Sequence, residues 1–84
     1  MTRYTIVIRY DDLEAYQLHG AQMEKMTKDR FAERGATEQT LFISTRSLPP
    51  IHTTSFVAPA SVSIEDLKQV QFPKGVQFDL HEEA

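Results

Sequence analysis

The sequence predicts an α+β domain of split β-α-β type, on three observations. Segments with strand or helix periodicity follow one another in the order β-α-β-β-α-β. One helical run, Asp12 to Arg34, is far longer than the other. All of the prolines fall between the runs or at their ends, where they punctuate rather than interrupt.

The first strand spans Arg3 to Tyr10 and alternates strictly. Tyr4, Ile6, Ile8 and Tyr10 share one face, and Arg3, Thr5, Val7 and Arg9 share the other. Isoleucine against arginine marks a half-buried strand with the isoleucine face inward. Asp11 is placed to cap the helix that follows, with Glu14 three residues on, as in a capping box. Arg34 and then Gly35 supply the stop. At 100° per residue, Leu13, Tyr16, Gly20, Met23, Met26, Thr27 and Phe31 form one arc, expected on the sheet. Gly20 on that arc implies a close approach to a neighbouring element, since glycine costs about 1 kcal/mol within a helix. Leu18 points away from it.

The second strand is expected at Thr40 to Arg46, with Leu41, Ile43 and Thr45 inward and Thr40, Phe42, Ser44 and Arg46 outward. Both faces carry an apolar residue, so the opposite parity stays open. Leu48-Pro49-Pro50-Ile51 reads as a stiff link. The third strand, Thr54 to Ala58, stops at Pro59. A short helix, Ile64 to Gln71, starts at Ser63 with Asp66 completing a cap. Pro73-Lys74-Gly75 is turn chemistry, and Val76, Phe78 and Leu80 alternate through a last strand, Gly75 to Leu80.

These pieces assemble into a ferredoxin-like βαββαβ arrangement: a four-stranded antiparallel sheet in the order 4-1-3-2, both helices on one face and right-handed crossovers. The short second helix is the weak point of this assembly. The whole chain, 1–84, makes a single domain.

Composition narrows the function classes. Cysteine is absent, so no disulfide, thiol nucleophile or thiolate metal site exists. The apolar stretches are too short for a membrane span. The chain enters a strand pattern at once, without a leader-like segment, and a cytoplasmic location is expected. Residues 1–47 balance seven basic against seven acidic side chains, whereas residues 48–84 hold two against five. That distribution disfavours non-specific nucleic-acid binding, which draws on excess lysine and arginine.

Candidate chemistry concentrates on the open sheet face and one loop. Val7, Arg9, Phe42 and Arg46 are expected together on the uncovered face, beside a rigid loop bearing Pro49, Pro50 and His52. An apolar residue among arginines on an open sheet suits a protein interface, with another protein or a second copy. A single-stranded RNA would use the same face by stacking on Phe42. Arg46, His52, Thr53 and Thr54 alternatively offer an anion or substrate site, and with it a small enzyme. Asp11 and Asp12 are better explained by the helix start they occupy. The three histidines lack metal-ligand spacing, and no cofactor motif is present. The favoured expectation is a small acidic non-enzymatic binding module, a regulator or inhibitor of bacterial or phage type, needing no cofactor.

Overall fold

The structure is a computed structural model that describes residues 1–83. Strands β1 (Thr2–Tyr10), β2 (Ile43–Ser44), β3 (His52–Ala58) and β4 (Val76–Glu82) form one antiparallel sheet in the order β2-β3-β1-β4. This is the expected 4-1-3-2 order read from the other edge. The long helical run is divided into α1 (Leu13–His19) and α2 (Met23–Ala32) by a 3-10 turn at Gly20–Gln22. The second helix, α3, is only Ile64–Lys68, shorter than the expected Ile64 to Gln71.

The caps follow sequence closely. Asp12, rather than Asp11, caps α1: its carboxylate accepts from the Ala15 N–H at 2.9 Å. Ser63 and Asp66 form a full capping box on α3. Gly35 adopts φ +92°, and the Ala36 N–H reaches back to the Phe31 carbonyl, closing the end of α2. Gly20 does make a close approach, but within its own helix. A Cβ there would lie 2.5 Å from the Tyr16 ring, so the glycine leaves room for Tyr16 to fold down one turn.

The inner sheet face and the helices share one core. Tyr4, Ile6, Ile8 and Tyr10 of β1 pack with Met23 and Phe31 of α2, Phe56 of β3, Leu67 of α3 and Leu80 of β4. Phe31 is its centre, 4.9 Å from Phe56 in a stacked pair and 5.9 Å from Phe78 edge-on. Leu13, expected on the buried arc, is instead exposed, and the first segment meets the core through Ala15 and Tyr16.

The largest departure is at β2. Leu41 and Ile43, expected inward, are 82% and 64% exposed, and Phe42 turns in against the core. The edge segment is out of step with β3. Thr37 bridges Val57, Thr40 donates to Ser55, and Ile43 pairs with Thr53. Each advance of two residues on β3 is therefore matched by three on the edge segment, which is two bulges in succession. Glu38 takes φ +53° at the first of them. The Thr40 hydroxyl fills the resulting gap by accepting from the Ser55 N–H at 3.0 Å. Regular pairing survives only at Ile43 and Ser44, which accounts for a two-residue strand where seven residues were expected.

Candidate functional site

At the rim of the sheet a hydrogen-bonded chain runs from an exposed serine to a buried tyrosine. Ser44, His52 and Tyr10 all face inward, because Ser44 pairs with His52, His52 pairs with Ile8, and Tyr10 lies two residues beyond Ile8. His52 is thus a strand residue, 5% exposed, rather than a loop residue. Its Nε2 is 2.7 Å from Tyr10 Oη and its Nδ1 is 2.6 Å from Ser44 Oγ. Phe42 covers the ring at 4.7 Å, and Tyr10 meets it edge-on at 5.3 Å.

Burial sets the charge states. It lowers the His52 pKa below the ordinary imidazole value. Burial, together with neighbouring Tyr16, pushes Tyr10 up to about 12. Both rings are neutral at pH 7. A neutral imidazole offers one N–H and one lone pair, so His52 donates to one hydroxyl and accepts from the other. In the arrangement where Nδ1 accepts, Ser44 donates to a base able to take its proton, and Tyr10 holds the ring as an acceptor. Ser44 itself is exposed on the edge strand. Tyr10 orients the ring without the negative charge that a carboxylate would supply.

The expected anion site does not assemble. Alternation along β3 turns His52 and Thr54 inward and Thr53 outward. The Thr54 hydroxyl is spent on the Thr40 carbonyl at 3.1 Å. Arg46 is exposed in the loop beyond Ser44. That loop closes on itself: Thr45 N–H donates to the Ile51 carbonyl, and Ile51 N–H donates to the Thr45 hydroxyl at 2.8 Å. Pro50 is buried and Pro49 half-buried, so the proline pair props the loop from within rather than presenting an outward contact surface.

On the open face, Val7 lies in a cross-sheet row between Thr53 and Asp79, with Ile43 beyond Thr53. Arg9 is ion-paired with Asp79, and Arg3 lies 3.9 Å from Glu83. The expected partner residues are therefore divided. Val7 and Arg9 lie outside, Phe42 and His52 inside, and Arg46, Pro49 and Pro50 in the loop. With Phe42 inward, the stacking residue that an RNA surface required is not on the open face.

The residues that replace them are Leu41, Ile43, Leu48 and Ile51. They are four of the seven exposed large hydrophobic side chains, and all lie between positions 41 and 51. The parity of Phe42 was the signal that would have found them: one aromatic turned inward exposes both of its aliphatic neighbours. Next to this patch, a groove of about 650 Å³ runs between α2 and the edge segment, lined by Lys25, Lys28, Glu38, Thr40, Leu41 and Phe42. Among the described residues no cluster of three metal-ligating side chains forms, and no helix is long and apolar enough to cross a membrane. Comparison with known protein families, curated proteins and solved structures yields no significant match.

Proposed function

We propose that this chain is a non-enzymatic protein-binding module, a regulator or inhibitor that docks on a partner through the β2 side of the sheet. The sheet order and the two unequal helical runs also fit a reduced ferredoxin-like split β-α-β, with its short edge given over to recognition. The observation that carries this function is the run of exposed aliphatic side chains Leu41, Ile43 and Leu48 on one short stretch of chain, 82%, 64% and 74% exposed. Aliphatic side chains gathered on one stretch of surface mark an interaction site, whereas scattered ones do not. The rigid loop adds to this, because a segment already ordered loses little freedom on binding. The irregular backbone of the same edge favours recognition by side chains over strand addition.

Partner capture on immobilised protein tests this function. Leu41→Ser/Ile43→Ser/Leu48→Ser is expected to lose whatever the native chain retains, while Leu18→Ser, an equally exposed leucine on α1, keeps it. Equal capture by both variants, or none by the native chain, would reject it.

One observation supports a second function, a small-molecule or enzymatic site. Ser44 Oγ lies 2.6 Å from the Nδ1 of a histidine that burial keeps neutral. A fluorophosphonate probe should then label Ser44, and His52→Ala should abolish labelling while the chain stays folded. Labelling that is absent, or indifferent to His52, removes this function.

A further inference from the structure

Strand β4 closes the other side of the sheet, and its edge is open. The phase of its pairing is set by Asp11 N–H to the Gly75 carbonyl at 2.8 Å and by Glu83 N–H to the Arg3 carbonyl at 2.9 Å. The odd-numbered residues of β4 thus bond to β1. The N–H and C=O groups of Phe78, Leu80 and Glu82 point away from the sheet, and among the described residues no hydrogen bond reaches them. β4 is seven residues long, without the bulges or proline that usually protect such an edge. Its outer face carries Gln77, Asp79 and His81, exposed polar side chains that find complements in one register.

We infer that a second copy of this chain pairs with β4, antiparallel, with Leu80 on the twofold axis. The two four-stranded sheets then join into one continuous sheet. In this register Asp79 of each copy stands opposite His81 of the other, and Gln77 opposite Glu83. The outward N–H of Glu82 meets the outward carbonyl of Phe78, twice by symmetry. Adjacent registers are worse. An axis through Asp79 sets that carboxylate against itself, and like charges directly opposite destabilise a strand pair. An axis through Phe78 sets Asp79 opposite Gln77 and His81 opposite Gly75, so the two side chains no longer meet. Arg9 is paired with Asp79 within each copy, and that carboxylate is half exposed, so it can accept from His81 of the other copy as well.

Light scattering on the native chain is the test, with twice the 9.6 kDa chain mass expected. Glu82→Pro removes an outward donor without touching the β1 ladder and should give monomer. His81→Asp places carboxylates opposite one another and should weaken the dimer about tenfold. The exchange Asp79→His/His81→Asp rebuilds the same pair in reversed order and should recover most of the loss. If Glu82→Pro fails to fold by circular dichroism, the His81 and exchange variants decide. A native chain that stays monomeric at millimolar concentration overturns the inference. So does a dimer that survives Glu82→Pro and His81→Asp but is lost in Leu41→Ser/Ile43→Ser/Leu48→Ser, because self-association would then belong to the β2 side. The converse result, a dimer lost only through β4 changes, leaves partner docking at β2 as a separate question.

Discussion

At the β2 edge the backbone is irregular and the side chains are apolar; at the β4 edge the backbone is regular and open and the side chains are polar. The β2 side is broken by two bulges, patched where the Thr40 hydroxyl accepts from the Ser55 N–H of β3, and followed by a self-closed loop, with Leu41, Ile43 and Leu48 outside. The β4 side keeps perfect alternation, buries Val76 and Leu80, and leaves the outward peptide groups of Phe78, Leu80 and Glu82 unbonded. A strand can therefore attract a partner in two distinct ways, by apolar surface or by unpaired backbone, and this sheet divides the two between its margins.

The firmest test of that division is Phe31→Ala. Phe31 is fully buried and contacts Phe56 of β3, Phe78 of β4 and Phe72, so it joins both sides of the sheet to α2. Its truncation should cost about 3–5 kcal/mol in denaturant unfolding. If the margins share one cooperative core, amides on both lose exchange protection together. Loss confined to β4 would show that the two margins are independently stable.

His52→Ala should cost about 1–3 kcal/mol, because the Tyr10 hydroxyl loses a buried partner. Its amide-exchange signature should centre on residues 36–51, and a uniform loss would argue against His52 as the anchor of the β2 side. The titration has a definite sign. With the His52 pKa depressed, the unfolded chain binds the proton more readily. Its stabilising contribution is complete above the unfolded value of about 6.5 and is lost as pH falls towards the folded value. The variant should lack that part of the acid dependence. Tyr10 works at the other extreme: its contribution is whole below the unfolded value of 10.0 and is lost as pH rises to about 12.

Thr40→Val should cost about 1 kcal/mol, since the Ser55 N–H is left without its acceptor. Exchange at Ser55 should accelerate while β4 amides are unchanged. Glu38→Gly relieves a left-handed φ of +53° and should raise stability by up to about 1 kcal/mol, with the bulge intact. A loss of stability there would mean that Glu38 contributes a contact greater than its backbone cost.

The element order, the strand order, the inward face of β1, the cap at Ser63 and the glycine stop at Gly35 were all legible in the sequence. Each rests on local chemistry or on strict alternation over many residues. β2 was not legible, because its parity depends on β3. The first bulge shifts the parity and the second shifts it back, and neither Glu38 nor Thr40 announces a bulge. The helix break at Gly20 was foreshadowed by the glycine, whose missing side chain makes room for the Tyr16 ring one turn earlier. The candidate site suffered most. Phe42 and His52 were correctly singled out but placed on the wrong surface or element, and Ser44 and Tyr10 join them only through cross-strand register.

That register wires the margin of the protein to its interior. The His52 ring carries a single mobile hydrogen between two oxygens, one facing solvent at Ser44 and one sealed in at Tyr10. Whichever oxygen receives it, the other must give one of its own. A molecule that accepts the Ser44 hydrogen from outside would oblige Nδ1 to donate and the phenol to give its hydrogen to Nε2, a reversal expected to be readable in the nitrogen chemical shifts of that one imidazole.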